Sequence, residues 1–273
     1  MRVVTTAAAL GAPAGRRGVV MTMGALHEGH LELVRTAARE CDEVVVTIFV
    51  NPLQFNDPAD LERYPRDLDA DLALLAPLDV ATVFAPTVDE VYPAGRPEVT
   101  VASGRIGEVF EGQYRPGHFD GVLTVVLKLL HLTRADAAFF GEKDAQQLIA
   151  VRRMVADLNV PVEVVGVPTV READGLAMSS RNALLTDAAR ADAEVLWHAL
   201  SVAAAAYSGG RGLGEALAAG RAVLAGAPRV AVDYFDALDP ASGLLATSGE
   251  VIFAVAATVG GVRLIDNVRA PQA

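Results

Sequence analysis

Short apolar runs alternate with helix-like segments from residue 18 to residue 167. Residues 43–50, "EVVVTIFV", form an unbroken run rich in β-branched side chains, which is typical of a strand buried on both faces. Residues 30–40, "HLELVRTAARE", instead place Leu31, Val34 and Ala37 on one helical stripe. Strand and helix patterns that alternate in this way predict a parallel sheet covered by helices on both sides, an α/β fold.

The same two patterns predict the other elements of this region. They place strands at residues 18–21, 80–86, 136–140 and 162–167, and helices at residues 66–78, 119–133 and 144–158. In open parallel sheets, ligands bind at the carboxyl ends of the strands, so we search for function in the loops that follow the strands.

The pattern changes after residue 182. Two helices are predicted at residues 186–210 and 211–226, and two strand-like runs follow at residues 229–238 and 250–266. Helices followed by strands indicate a separate, smaller α+β domain. We therefore predict two domains, residues 1–178 and residues 179–273.

Composition excludes several classes of protein. The formal net charge of the 273-residue chain is −11, which argues against general binding to nucleic acid while leaving room for one local basic patch that holds a small anion. A single cysteine, Cys41, excludes a disulfide scaffold and a cysteine-rich zinc site. The apolar runs are too short for a signal peptide or a membrane span, so we expect a soluble cytoplasmic protein without membrane contact.

Polar clusters follow four of the predicted strands. They are "MGALHEGH" at residues 23–30, "NPLQF" at residues 51–55, "GEKDAQQ" at residues 141–147 and "PTVREADGLAMSSRN" at residues 168–182. One polar loop would mean little, but four at the same edge of one sheet predict a binding site.

The first cluster contains two histidines, His27 and His30, with Gly29 between them where a loop becomes a helix. Their i,i+3 spacing differs from the i,i+4 spacing of zinc sites on helices, and no third ligand is evident. A helix N-terminus attracts anions, so the two imidazoles could bind phosphoryl oxygens and, if protonated, stabilise developing negative charge. The pair could equally be capping or core histidines, and the motif alone leaves both interpretations open.

The later clusters add further candidates, each with a simpler alternative. Lys143 suits a phosphate, although most lysines are solvated surface residues. Asp144 could accept from a ribose hydroxyl or only cap the following helix. Residues 178–181, "MSSR", combine hydroxyls with a guanidinium and could be a phosphate clamp, a hinge between the domains, or both. The amides of Gln54 and Gln147 suit a substrate rich in hydroxyls, although either alone could be ordinary polarity.

The acidic stretch at residues 63–71 contains Asp67, Asp69 and Asp71 and predicts the solvated face of a helix; a role near a phosphate-bound Mg²⁺ is the minority interpretation. Sequence templates for a P-loop, a G-x-S-x-G nucleophile elbow and a G-x-G-x-x-G dinucleotide fingerprint are absent from the chain.

These motifs together resemble a known family. H-x-G-H after a strand, with lysine- and serine-bearing loops after later strands, is similar to the nucleotidylyltransferase and class I aminoacyl-tRNA synthetase superfamily. Within it the chain resembles the pantothenate synthetase (pantoate–β-alanine ligase) family, through "TMGALHEGH", "FVNPLQF", "YPRDLDAD", "GHFDGVLTVVLKL", "GEKDAQQ", "PTVREADGLAMSSRN" and "RLIDN". The similarity covers nearly the whole chain.

This resemblance implies a Rossmann-like domain with a C-terminal lid, a homodimer, and condensation of pantoate with β-alanine by Mg²⁺-ATP through a pantoyl adenylate. It implies that His27, His30 and Lys143 are catalytic, with His30 as the proton donor, and that Gln54, Gln147 and Asn51 bind pantoate and β-alanine. Asp71 is a candidate Mg²⁺ ligand. The implied ATP contacts are Met23, Gly24, His27, Gly29, His30, Gly141, Glu142, Lys143, Asp144, Val170, Met178, Ser179, Ser180 and Arg181.

Three alternative functions agree less well with the sequence. A nucleotidylyltransferase that stops after nucleotidyl transfer would lack the C-terminal lid and the paired glutamines. A tRNA synthetase is disfavoured by the acidic charge. A non-catalytic nucleotide sensor would have lost its phosphate contacts, yet His27, Lys143 and Arg181 are all present.

Overall fold

The structure is a computed structural model that describes residues 1–56, 61–62, 64 and 66–272. Arg63 and Pro65, which belong to the predicted acidic helix stretch, lie outside the described residues. In the part of the chain that is described, no helix is both long enough and apolar enough to cross a membrane.

A parallel sheet organises the first part of the chain. Its six strands have the order β1-β4-β3-β2-β5-β6. They are β1 Arg2–Val4, β2 Arg17–Thr22, β3 Glu43–Ile48, β4 Thr82–Phe84, β5 Ala137–Gly141 and β6 Glu163–Val167. The strand order reverses at β2, because the chain adds β3 and β4 on one side of it and β5 and β6 on the other. Such a reversal opens a crevice at the carboxyl end of the strand, where ligands bind.

Helices cover both faces of this sheet. They are α1 Glu28–Glu40, α2 Leu68–Leu75, α3 Val88–Val91, α4 Glu111–Tyr114, α5 His118–Thr133 and α6 Ala145–Asp157. Neighbouring residues of β2 enter different cores: Val19 packs with α5 and α6, and Val20 packs with α1. Because adjacent side chains of a strand point to opposite faces, burial of both explains the unbroken apolar runs.

The C-terminal part has its own core. Helices α7 Asp187–Ser208 and α8 Leu213–Ala225 pack on an antiparallel sheet of β7 Val230–Leu238, β8 Val251–Val259 and β9 Val262–Ala270. The predicted α/β class, with a Rossmann-like sheet and a smaller α+β part, is confirmed. The boundary between residues 178 and 179 stays a prediction.

Two differences from the sequence prediction concern the strands. The run at residues 250–266 is not one strand but a hairpin, since Val259 pairs with Val262 across Gly260 and Gly261. Both glycines have positive φ, 56° and 82°, which a tight two-residue hairpin turn requires and which interrupts an otherwise continuous apolar pattern. The edge strand β1 was missed because three residues carry too little periodicity to predict a strand.

Candidate active site

The two histidines cap helix α1. His27 is the N-cap, and its Nδ1 accepts a hydrogen bond from the Gly29 backbone N–H at 3.1 Å. His30 Nδ1 accepts from the His27 backbone N–H at 3.3 Å, which completes a capping box, and the two ring centroids lie 4.1 Å apart. A Cβ at Gly29 would lie 2.9 Å from Cε1 of His27, so a residue with a side chain would displace the imidazole.

This capping arrangement fixes the proton on each ring. Burial, followed by the charge of Lys143, lowers the pKa of His27 to about 4. Burial, followed by the neighbouring His27, lowers the pKa of His30 to about 3. Both rings are therefore neutral at pH 7, and because Nδ1 accepts in each, the proton is assigned to Nε2. At pH 7 each imidazole is thus neutral and carries an Nε2–H group, so the condition of protonation under which the rings could stabilise negative charge is not met.

Asp71 holds the loop before His27 and does not form part of a solvated face. Its side chain is buried, and its two carboxylate oxygens accept from the backbone N–H groups of Ala25 and Leu26 at 3.1 and 2.8 Å. Burial raises the pKa of this carboxyl group, and the two backbone donors oppose the shift. The prediction of a solvated face is wrong for Asp71, because the residue anchors the loop that carries the histidines.

A short 3-10 turn, Pro52–Gln54, presents the first glutamine. Asn51 is 1% exposed and donates from Nδ2 to Gln54 Oε1 at 3.0 Å and to the Gly121 carbonyl at 3.1 Å, while its Oδ1 accepts from the Tyr92 hydroxyl. These bonds orient the Gln54 amide so that its Nε2 is available as a donor, with only a weak contact to the Met23 sulfur. The structure thus makes Asn51 a support of Gln54.

Lys143 lies in a second 3-10 turn, Glu142–Asp144, directly before helix α6. Its Nζ is 3.8 Å from Asp144 Oδ2, and Lys143 lines the same cleft as the two histidines. Its charge contributes to the lowered pKa of both imidazoles. Asp144 occupies the N-cap position of α6, as the capping alternative predicted, but its side chain makes no capping hydrogen bond.

The two neighbouring glutamines of helix α6 have different surroundings. Gln147 is half-buried and lines the cleft. Gln146 is buried and makes three hydrogen bonds, to the carbonyls of Ile106 and Val109 and from the backbone N–H of Glu111. The amide of Gln146 is used by the fold, which leaves Gln147 for a ligand.

One cleft at the carboxyl end of β2 gathers most of the predicted residues. Its empty volume is about 1460 Å³. The predicted residues that line it are Met23, His27, Gly29, His30, Asn51, Gln54, Gly141, Lys143, Asp144, Gln147, Val170, Met178, Ser179, Ser180 and Arg181. Gly24 and Asp71 line a different cavity, and Glu142 lines neither.

Two further cleft residues were not singled out from the sequence. Arg115 and His118 line the cleft beside Gln54, and His118 Nδ1 lies 2.9 Å from the Gln54 carbonyl oxygen. Burial, then the charge of Arg115, lowers the pKa of His118 to about 4. The segment "RPGHFDG" is a polar group before a helix, but it follows no predicted strand, so the rule that ligands bind at strand ends does not indicate it.

The cleft is basic although the chain is acidic. Lys143, Arg115 and Arg181 line it with the neutral histidines, and Asp144 is the one carboxylate among the described residues of its lining. A Rossmann-like sheet whose β2–α1 loop carries H-x-G-H, with a lysine turn and a Ser-Ser-Arg segment beside it, is the architecture of an ATP-dependent ligase. Within that class, the family model for pantoate–β-alanine ligase matches residues 2–269, and the chain belongs to this family.

Individual relatives agree with this assignment. The chain is 57% identical over 255 residues to a pantothenate synthetase of Salinispora arenicola, with 93% of this chain and 90% of that protein aligned. A crystal structure of pantothenate synthetase from Thermus thermophilus superposes with a TM-score of 0.94 at 47% identity, covering 98% of this chain and 99% of that one. A Francisella tularensis pantoate–β-alanine ligase, complexed with beta-gamma ATP and β-alanine, superposes with a TM-score of 0.81 at 33% identity, covering 98% and 97%. The predicted family is thus confirmed.

The lowered histidine pKa values make stability depend on pH. Between pH 6.5 and the folded pKa values of about 3 to 4, the unfolded chain binds protons that the folded chain does not, so the free energy of unfolding decreases as the pH falls. We expect a loss of roughly 1 kcal/mol for each of these three histidines between pH 7.5 and 5.5. Urea unfolding at several pH values measures this loss. His118→Gln, which keeps a donor for the Gln54 carbonyl, should reduce the slope, whereas an identical slope in both proteins would contradict the assignment for His118.

Proposed function

We propose that the chain condenses pantoate with β-alanine at the expense of ATP, in two steps. The pantoate carboxylate attacks the α-phosphorus of ATP, which gives pantoyl adenylate and releases pyrophosphate. The neutral amine of β-alanine then attacks the acyl carbon, which gives pantothenate and releases AMP and a proton. The observation that carries this proposal is a basic cleft, in a chain of net charge −11, that combines H-x-G-H, Lys143 and two glutamine amides.

The chemistry of adenylation suits the side chains of the cleft. The transition state spreads charge over phosphoryl oxygens, so positioning and charge neutralisation matter more than a nucleophile from the protein. We infer that His27 and His30 donate from Nε2 to phosphoryl oxygens, and that Lys143 and Arg181 neutralise them. Contacts from the other predicted ATP residues in the cleft belong to the same proposal, and Gly24 and Glu142 contribute through the backbone of their loops.

We infer that pantoate binds in the part of the cleft lined by Gln54 and Gln147. Gln54 and Gln147 offer amide groups that can both donate to and accept from the hydroxyl and carboxylate groups of pantoate. Gln54 is oriented by Asn51, so we infer that Asn51 acts on the substrate through Gln54.

Gln54→Ala and Gln147→Ala should each weaken pantoate binding and leave ATP binding nearly intact. A buried hydroxyl that loses its partner costs about 1–3 kcal/mol, which corresponds to a loss of affinity of about 5-fold to 150-fold. Calorimetric titration with pantoate and with a non-hydrolysable ATP analogue measures both affinities. Gln146→Ala is the matched control: it should lower thermal stability without a selective loss of pantoate affinity. Equal losses for both ligands in the Gln54 and Gln147 variants would refute their assignment.

Magnesium fits this cleft as an ion that arrives with ATP. Mg²⁺ keeps several waters and needs only one or two protein carboxylates in addition to phosphate oxygens. We infer that Asp144, with a side chain that is 45% exposed, would hold it, since both oxygens of Asp71 are engaged by backbone amides outside the cleft. When bound, the ion would neutralise phosphate charge.

One assay tests the proposed function against its nearest rival. The protein is incubated with ATP, pantoate, β-alanine and Mg²⁺, and AMP and pyrophosphate are followed. AMP formation that requires both pantoate and β-alanine supports the ligase. Pyrophosphate release without amine-dependent AMP would favour a nucleotidylyltransferase that stops after the first step.

The assembly and location are proposals from the family resemblance. We expect a homodimer in the cytoplasm, with ATP, pantoate and β-alanine as its small-molecule partners. Light scattering coupled to size-exclusion chromatography measures the mass of the particle against the 28.5 kDa of one chain.

A further inference from the structure

The segment "RLIDN", residues 263–267 of strand β9, does not line the cleft that holds the histidines and glutamines. Although it belongs to the C-terminal sheet, its polar side chains reach the loops of the parallel sheet. Arg263 forms a two-bond ion pair with buried Glu111, at 2.7 and 2.8 Å. Asp266 and Asn267 reach the two loops that flank the cleft. Strand β9 is therefore in direct contact with the site.

Asn267 holds the turn that carries Lys143. Its Nδ2 donates to the carbonyl oxygens of Glu142 at 2.9 Å and of Lys143 at 2.7 Å, so one amide fixes two successive peptide groups. Neither Gly141 nor Asp144 supplies a side-chain cap to this turn or to helix α6. The amide of Asn267 is thus a side-chain restraint on the backbone from which Lys143 extends.

Asn267 is itself held in place. Arg171 donates to both oxygens of buried Asp266, at 2.7 and 3.0 Å, and to the carbonyl of Asn267 at 3.0 Å. The Arg171 guanidinium also lies 3.8 Å from the centre of the Trp197 ring, a cation–π geometry. Arg171 follows Val170, whose carbonyl accepts from the Met178 backbone N–H, so the same network restrains the loop that leads to Ser179 and Arg181.

We propose that Asn267 is a positioning residue for adenylation, because it aims Lys143 at the phosphates of ATP. This inference rests on the proposed function. Lysine is a point charge on a flexible stem, so the direction of its ammonium depends on the backbone that bears it. A shift of about 1 Å in a group that contacts the transition state can cost up to about 10²-fold in rate. The side-chain amide of Asn267, in the C-terminal sheet, thereby influences the rate of adenylate formation at the parallel sheet.

The test separates the two half-reactions in two variants of Asn267. Asn267→Ala removes the amide, and Asn267→Leu removes it while keeping similar bulk. In single-turnover measurements, formation of adenylate from ATP and pantoate should fall about 10-fold in both variants, an intermediate fraction of the loss that a misplaced contact can cause. Conversion of preformed pantoyl adenylate with β-alanine should stay within about 2-fold of wild type, because that step does not use the phosphate contacts of Lys143.

The matched control is Arg269→Ala. Arg269 lies two residues further along β9, on the same side of the strand, and forms a surface ion pair with Glu250. The Arg269→Ala variant should carry out both half-reactions at the wild-type rate. An Asn267 variant that forms adenylate at the wild-type rate, or that slows both steps by the same factor, overturns the positioning role.

A second measurement does not depend on the reaction. Burial and the charge of Lys143 together lower the pKa of His27 to about 4. If Asn267→Ala lets Lys143 move away, the His27 pKa, followed by NMR of labelled histidine, should rise towards its value in Lys143→Met. An unchanged His27 pKa in Asn267→Ala, with a clear rise in Lys143→Met, overturns the inference. If the His27 pKa rises in Asn267→Ala but the wild-type protein forms no adenylate, the positioning of Lys143 is supported and the proposed function is rejected.

Discussion

Replacing His30 with alanine should lower the rate of adenylate formation by about 10²-fold or more, the range found when one donor to a transition-state oxyanion is removed. His30 has a pKa of about 3 and accepts from the His27 backbone through Nδ1, so at pH 7 it is a neutral Nε2–H donor. Single-turnover formation of adenylate at saturating ATP measures the loss. Since the loss arises from a missing donor, the rate of the wild-type enzyme should not depend on a protonated imidazole near pH 7.

The same substitution removes half of the capping box of α1, so its effect on stability must be separated from its effect on catalysis. Losing a cap costs about 0.5–2 kcal/mol of stability. His30→Gln is the control, because glutamine at this position can accept from the His27 N–H and restore the box. We expect wild-type stability with most of the rate still lost, since the glutamine side chain is committed to the cap. If a folded His30→Ala protein forms adenylate at a rate within a few-fold of wild type, His30 does not act on the phosphates.

Local patterns predicted most of the fold. Helix α1 was predicted at residues 30–40 and spans Glu28–Glu40, and strand β3 was predicted at residues 43–50 and spans Glu43–Ile48. The clusters at the strand ends were also predictable, because strand direction in a parallel sheet brings successive loops to one edge. His27, Gln54 and Lys143 come from three of these loops and line one cleft.

The parts that sequence reasoning missed depend on contacts between distant residues. Asp71 was assigned to a solvated face because its helix pattern is acidic, yet it accepts from backbone groups 45 and 46 positions away. Asn267 bonds carbonyls 124 and 125 positions away. Backbone N–H and carbonyl groups occur at almost every residue, whatever its side chain. A hydrogen bond from a side chain to such a group therefore leaves no residue pattern in the sequence that could predict it.

The ionisation of the histidines could not be predicted for a similar reason. A histidine in solution titrates near pH 6.5, so the motif at a helix N-terminus left open whether the imidazoles are protonated at pH 7. Burial and the nearby positive charge of Lys143 disfavour the second proton on both rings. In the proposed function the positive charge at the phosphates therefore comes from Lys143, and the histidines are proposed to act as neutral donors.

Lys143 should for that reason matter for adenylation far more than for amide formation. An ammonium beside the phosphates neutralises charge that grows as pyrophosphate leaves. In the second step pyrophosphate has gone, and a neutral amine attacks an activated acyl carbon, so only the positioning of the adenylate remains for Lys143 to support. Lys143→Met keeps the length of the side chain and removes its charge. We expect this variant to form adenylate at most about 1% as fast as wild type. Given preformed pantoyl adenylate and β-alanine, it should still make pantothenate at a substantial fraction of the wild-type rate.

Lys128 provides the control for this experiment, since it is the only other lysine of the chain and lies over the Tyr92 ring, outside the cleft lining. Lys128→Met loses the same charge, and both of its half-reactions should run at the wild-type rate, which would exclude a general effect of net charge. Asn267→Ala should show the pattern of Lys143→Met with a smaller amplitude, because it displaces the ammonium and does not remove it. If Lys143→Met slows both half-reactions by one common factor, Lys143 supports the cleft as a whole, and the division of labour between the two steps must be abandoned.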